Sequence, residues 1–355
     1  MNPASSQRAY GPEGTLLPRV EAHGGIETIE TPNLVRELAP RRDRRCLREL
    51  RELIAAWRPD VVHTHSSKAG ILGRAAAWRE HVPCVIHTIH GLAFHPYGAR
   101  WRNAVYILAE RYAARRCHRI VCVADAMREQ ALAAGIGRRE QYVTIYSGME
   151  VERFVQPDVS REEIRAELGF ADDDFVVGTI ARLAELKGHD DLLDGLGETM
   201  QKDPRLRLLW VGDGWWRERL LGRLADLRLS DRIVTTGLGE PSQFPKFLQA
   251  MDVLAHPSYR EGLPRAVTQA LLSGTPAVAY DVDGTREICV DGETGRLIRP
   301  GDHEALAAAI RWMMDNPDER RAMGELGRER CRVLFDHTLM VDRLEALYDE
   351  VLQGG

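Results

Sequence analysis

Residues 260–264 read Arg-Glu-Gly-Leu-Pro and lead into RAVTQALLSGTP, a carboxylate, a glycine and a proline at the start of an apolar helical pattern. Pro264 suits the first turn of a helix, where a missing N–H costs nothing. Backbone N–H groups around Gly262 and Leu263 would point at a phosphate there, and Glu261 can accept hydrogen bonds from sugar hydroxyls. Gln269 follows eight residues after Glu261, about 12 Å along a helix axis, comparable to the span from a hexose across a diphosphate to a ribose. One helix would then read both ends of a sugar nucleotide. The plainer alternative makes Glu261 a partner of the helix dipole and Gln269 a solvent-facing residue.

A second stretch, GTIARLAELKGHDDLL (178–193), runs strand, loop, helix, with Arg182 and Lys187 in the loop and Gly188 permitting close backbone approach. An arginine fork matches phosphate oxygens, a lysine adds a point charge, and the helix dipole that follows also favours an anion. The same residues would equally make an ordinary surface loop with two solvated cations; the position at a strand C-terminus favours the diphosphate.

These loops need strands and helices to hold them. Short apolar runs alternate with amphipathic stretches along the whole chain, the pattern of βα units and a parallel sheet. In the first half the runs predict strands at 60–66, 84–90, 119–124 and 142–147, with helices near 44–57, 68–81, 101–116 and 125–134. The second half restarts with strands at 174–181, 207–212, 232–237, 252–258, 276–281 and 295–300, and the chain closes with helices near 303–316, 318–334 and 338–352. The polar stretch 150–174 reads as a linker with one helical segment. Two doubly wound sheets joined this way bind ligands at their strand C-termini, on either side of a cleft.

The totals fit this plan. A chain of 355 residues with 44% apolar content can bury two cores. No run approaches the roughly 18 to 20 apolar residues of a membrane helix, and the N-terminus lacks a signal-peptide pattern, so a cytoplasmic protein is expected. Cys46, Cys84, Cys117, Cys122, Cys289 and Cys331 form no CxxC pair, and reduced, mostly buried thiols are expected. Residues 1–155 carry 23 Lys and Arg against 16 Asp and Glu, and the remainder 25 against 37. The two halves should face different partners.

ARLAELKG with VGDG (211–214), TTG (235–237), HPSYREGLP and SGTPAVAYDVDGTREICVDGETG resembles the donor-binding half of the family 4 retaining glycosyltransferases; VVHTHSSKAGILGR, HTIHG and IYSGMEVERF extend the resemblance through the first half. It implies an α/β, GT-B fold of two Rossmann-like domains: 1–155 on the acceptor side, 156–335 for the nucleotide-sugar donor, and a C-terminal helix (336–355) packing back toward the first. It further implies transfer of a sugar from a UDP- or GDP-sugar to an acceptor hydroxyl with retention, in polysaccharide, glycolipid or cell-envelope glycan synthesis, with no cofactor and no metal. Arg182 and Lys187 match the pair that neutralises the donor diphosphate, and Glu261 the first Glu of E-x7-E, which contacts the transferred sugar. Gly188, Gly212, Gly214, Val234, Gly262, Leu263 and Pro264 fall on the donor side, and Gln269 stands where a second Glu holds the ribose. His90 matches a histidine near the reacting carbon, with Ser67, Lys68 and Gly91 beside it on the acceptor side.

The chain departs from the family pattern in three places. Gln269 loses the charge-assisted strength of a carboxylate. Ser147-Gly148 replaces Asn-Gly. The opening strand and glycine-rich loop have no counterpart in HGGIETIETP, which reads as strand or extended chain, so an incomplete and less stable N-terminal domain is expected. Restoring a Glu at 269 and an upstream segment would separate an active enzyme from a nucleotide-sugar-binding protein without turnover; a GT-B sugar-nucleotide epimerase is a further alternative. His63, His65, His87 and His95 near His90 fit no familiar metal spacing, and SSKAG (66–70) serves either as an anion or acceptor contact or as a plain helix cap. The basic stretches 39–59, with Leu47, Leu50, Ile54 and Trp57 on one face, and 100–119 suit either peripheral contact with an anionic membrane, as a lipid-linked acceptor would require, or helices packed on the sheet with solvated arginines. Nucleic acid is not expected, since the charge excess is modest and no stacking platform is present.

Overall fold

The computed structural model describes residues 20, 22–35 and 37–354. They divide into two compact units: unit 1 takes the described residues up to Val121 with Ala131–Val143 and those from Ala346 onward, and unit 2 takes Cys122–Gln130 and Thr144–Glu345.

In unit 1, β1 (Val61–His65), β2 (Cys84–Ile89), β3 (Arg119–Cys122) and β4 (Tyr142–Thr144) lie in sequential order in one sheet. Helices α1 (Pro40–Trp57), α2 (Ser67–Arg79) and α3 (Arg100–Ala114) belong to this unit, while α4 (Asp125–Ala133), which follows β3 in the chain, falls mostly in unit 2. Helix α1 begins four residues before its expected start because Pro40 takes the first helical position, where a preset φ is an advantage. Every residue of β2 is buried, whereas β1 is only partly covered. Among the described residues no strand precedes β1, and residues 24–31 are irregular rather than strand.

After β4 the chain forms α5 (Glu152–Val155) and α6 (Arg161–Leu168) of unit 2, so the stretch expected to carry one helix carries two. Helix α6 is set by its sequence: Ser160 and Glu163 form a reciprocal capping box, and Gly169 ends it in the left-handed conformation. The strands β5 (Phe175–Ile180), β6 (Leu206–Val211), β7 (Ile233–Gly237), β8 (Val253–His256), β9 (Ala277–Tyr280) and β10 (Gly295–Ile298) form a parallel sheet in the order β10-β9-β8-β5-β6-β7. The order reverses between β5 and β8, and at such a switch point the loops leaving the two strands diverge and open a crevice. Helices α7 (His189–Lys202), α8 (Arg217–Asp226), α9 (Phe244–Ala250), α10 (Arg265–Leu272), α11 (Thr285–Ile288), α12 (His303–Asp315) and α13 (Pro317–Leu334) belong to this unit, and α14 (His337–Gln353) closes the chain. Its core includes Leu192, Leu196, Trp210, Val253, Tyr280 and Ile310.

One carboxylate holds the switch point together. Asp252, at the foot of β8, donates its N–H to Val176 O and accepts the Val176 N–H on Oδ2, both at 2.8 Å. The same carboxylate pairs with Arg161 (2.7 Å) and Arg165 (3.0 Å) of α6 and with Arg320 (3.2 Å) of α13. Removing the charge leaves buried guanidinium groups uncompensated. Asp252→Asn is therefore expected to destabilise unit 2 by about 3 kcal/mol, read as a lower urea midpoint; an unchanged midpoint would show that the arginines find solvent without cost.

Candidate active site

Two loops meet at the C-terminal ends of β5 and β8. The first, 181–188, is pinned on one side by Ala181 N–H to Val211 O (3.1 Å) and Leu183 N–H to Asp213 O (3.1 Å), and on the other by Tyr259 N–H to Leu186 O (2.9 Å). Gly188 ends it at φ 70°, where a Cβ would lie 2.0 Å from the Pro257 carbonyl oxygen. No side chain fits, so the helix start of α7 is drawn against the 256–261 segment. Gly212, at φ 144°, meets the Ala181 carbonyl in the same way, at 2.1 Å.

This packing brings together residues distant in sequence. Lys187 Nζ donates to Glu261 Oε1 at 2.6 Å and to Ser258 Oγ at 3.3 Å. Buried His256 places Nε2 at 3.0 Å from the same carboxylate oxygen, which can only accept, so Nε2 carries the proton. The Glu261 side chain is 14% exposed. Burial opposes its ionisation, but His256 and Lys187 outweigh burial and hold the carboxyl well below its ordinary range. The Glu261 N–H is fixed by Asp283 Oδ2 at 2.7 Å, and Gly262 O accepts from Gly284 N–H at 3.1 Å. Behind the loop, Asp191 in the first turn of α7 accepts from Tyr259 and Tyr280 at 2.6 and 2.5 Å.

Among the described residues none of the remaining expected donor residues hydrogen-bonds to this pair, and Val234 lies two strands away from β5 in the sheet. Arg182 is exposed, with its guanidinium 5.6 Å from the Trp215 ring centre. Gly214 lies against the Leu183 carbonyl, and Val234 is half-buried on β7 opposite Leu209. Leu263 and Pro264 are buried. Two details of the sequence reading need correction. The helix starts at Arg265, with Pro264 as its cap, so the stretch from Glu261 is not helical and the 12 Å estimate along one axis does not apply. Gln269 is 8% exposed, not solvent-facing. His256, Ser258 and Asp283 were not singled out from sequence as site residues, although HPS and DVDG stand inside the stretches that carry the family resemblance.

The acceptor-side candidates lie in unit 1. Ser67, His90 and Gly91 line a cavity of about 320 Å³ at the end of β2 and the start of α2, together with Ser66, Thr88 and Glu110. Ser66 makes no side-chain cap to α2. Lys68 points elsewhere: it pairs with Asp43 of α1 at 2.6 Å and donates to the Glu37 carbonyl. His90 belongs to a row of rings. Its Nε2 is 2.9 Å from His65 Nδ1, His65 stacks on His63 at 4.4 Å, and His63 is bonded to Tyr348 OH (2.6 Å) and Thr88 Oγ1 (2.7 Å). Burial, then His65 and His90, lower the His63 pKa to about 4. Among the described residues no three His, Cys, Asp or Glu side chains are arranged to hold a metal ion.

The matched families agree with this layout. Residues 160–330 match the model of glycosyl transferases group 1, and residues 9–153 that of Glycosyltransferase Family 4. EpsD of Bacillus subtilis (strain 168), assigned as a glycosyltransferase, is 30% identical over 94% of this chain and 86% of its own. An Escherichia coli UDP-Gal:alpha-D-GlcNAc-diphosphoundecaprenol alpha-1,3-galactosyltransferase is 28% identical over 92% and 84%. The structure of Anabaena HepE in complex with UDP-glucose aligns with a TM-score of 0.75 at 22% identity, covering 85% of this chain and 82% of that one. Two Rossmann-like parallel-sheet units with this likeness define the GT-B class of glycosyltransferases. Within it, the chain belongs to glycosyltransferase family 4.

The site also predicts acid sensitivity. His189, the first residue of α7, is buried edge-on to Trp210, with neither ring nitrogen hydrogen-bonded among the described residues. Burial lowers its pKa from 6.5 to about 4, with nearby His256 and Lys187 adding to the fall against Asp190. Because the folded value is depressed, the unfolded chain binds the proton more readily between these values, and stability present above pH 6.5 is lost as pH falls toward 4. At pH 5 the loss from this group is roughly 2 kcal/mol. His189→Phe should flatten that part of the profile in urea titrations at pH 7 and pH 5; an unaltered slope would assign it to other groups.

Proposed function

We propose that the protein transfers a sugar from a UDP-sugar to an acceptor hydroxyl, with retention of anomeric configuration. The observation that carries this reading is the Lys187–Glu261 pair at the switch point. Lys187 has three N–H donors; Glu261 and Ser258 take two, and the third is available to a phosphate oxygen. Glu261 engages Lys187 and His256 through Oε1 alone, and Oε2 is open to sugar hydroxyls. Arg182 brings a second cation from the same loop. As the bond to the sugar breaks, charge builds on the departing diphosphate, and prearranged cations favour that state over the ground state. No metal is required for this role. Gln269 receives the ribose as a neutral amide, and unit 1 supplies the acceptor side through His90.

The choice of UDP is supported by the UDP-glucose complex of the Anabaena protein and by the UDP-Gal named for the E. coli enzyme. The latter's diphosphoundecaprenol acceptor supports a lipid-linked glycan here, which would be met in the cytoplasm at the inner face of a membrane.

Calorimetric titration with UDP and GDP, followed by donor hydrolysis assays and assignment of the product anomer by NMR, tests this reading. UDP should bind in preference to GDP, and EDTA should leave turnover unchanged. Lys187→Ala should weaken UDP binding by about ten- to a hundredfold, the worth of a charge-assisted contact, and Gln269→Glu should strengthen it. Absence of binding to either nucleotide would sink the proposal, and an inverted product would remove the retaining mechanism.

A further inference from the structure

Helix α3 presents its apolar residues outward. Trp101, Val105, Leu108 and Tyr112 recur at helical spacing in RWRNAVYILAERYAA, the pattern of a helix packed on a sheet. All four face solvent, Trp101 at 63% and Leu108 at 69% exposure. The cause is a buried charge. Glu110 forms a 2.7 Å ion pair with Arg74 of α2, which is fully buried, and turning the carboxylate out would strand that arginine. At about 100° per residue, fixing Glu110 inward puts residues 101, 105, 108 and 112 within roughly 40° of directly outward. Asn103 and Ala113 confirm the rotation: the Asn103 amide donates to His95 O at 2.7 Å, and Ala113 is buried. The result is an exposed apolar stripe about 16 Å long.

Charge decides what the stripe fits. Residues 100–119 hold six arginines and one carboxylate, the buried Glu110. Arg102 and Arg116 lie over the Trp101 and Tyr112 rings, at 5.4 and 3.5 Å from the ring centres, and Arg100 and Arg115 are exposed beside them. A second copy docked through this face would set arginine against arginine. An anionic bilayer meets each feature: apolar side chains enter the acyl boundary, Trp and Tyr sit at the headgroup level, and guanidinium groups pair with lipid phosphates. Helix α1 does not share the property. It buries Cys46 and Ile54 and packs on α2, leaving Trp57 exposed at its end.

We propose that the outward face of α3 docks on anionic lipid. The inference deepens the lipid-linked acceptor reading and rests on it for its purpose, but the binding itself is measured without donor or acceptor. The full chain is sedimented with vesicles of phosphatidylcholine alone or mixed with phosphatidylglycerol. It should partition onto the mixed vesicles only, and high salt should release it. Trp101→Glu and Leu108→Glu should each weaken partition by about tenfold or more, while Val333→Glu, an exposed position on α13, should leave it unchanged. Failure to partition, equal binding to both vesicle types, or unweakened α3 variants would overturn the proposal. So would light scattering that shows a dimer which Leu108→Glu returns to monomer. UDP titration of the same samples reports the donor site separately, so failure of either reading leaves the other standing.

Discussion

The candidate site of unit 2 depends on the registration of β5 against β8, and Asp252 fixes that registration. The two strands pair through only Val177–Val253 and Gly178–Leu254, because they stand where the sheet reverses its order. So short a ladder would tolerate slippage, and a one-residue slip would turn each side chain to the opposite face. Asp252 prevents it by exchanging two hydrogen bonds with Val176 while three arginines hold its carboxylate. The helix carrying Arg161 and Arg165 precedes β5, and Arg320 comes from α13, so two helices are tied to the foot of the two strands that deliver Lys187 and Glu261.

At the other end of those strands the constraint is the reverse. Asp252 is satisfied within the protein, whereas Lys187, Arg182 and Glu261 keep unused bonding capacity. Burial works against ionisation of Glu261, and His256 and Lys187 outweigh it and hold the carboxyl well below its ordinary range. An anion arriving beside Lys187 finds this charge already oriented by the Ser258 and Glu261 bonds, so little side-chain entropy remains to be lost on binding. Gly188 and Gly212 serve the same end through the backbone, allowing the loops to approach to distances that a methyl group would forbid.

What could be read from the sequence follows from range. The strands, the second sheet and the residues Arg182, Lys187 and Glu261 lie in short segments where period and local motif carry the signal. Asp252 carried none, because its partners at 161, 165 and 320 are assembled only by the fold. The start of α10 was misplaced for a local reason: Pro264 is equally at home as a cap or as a first helical residue, and the difference removed the straight-line span to Gln269. The stripe on α3 was legible as a pattern but not in direction. Periodicity gives the width of an apolar face, and its outward aim came from Glu110 meeting an arginine thirty-six residues earlier.

The histidine row in unit 1 obeys a comparable rule of pairing. Two imidazole nitrogens 2.9 Å apart, as in His65 and His90, need one donor and one acceptor, so a single proton lies between them. His63 beneath them is held neutral by burial, with both nitrogens engaged by hydroxyl groups that can adapt as donor or acceptor. Burial depresses His65 as well, so His63 and His65 resist taking up positive charge. His90 is thereby oriented through His65, and the proton between them depends on the tautomer of both rings. The basic character of unit 1 lies apart from this row: among the described residues, arginines without a carboxylate partner stand on both α1 and α3.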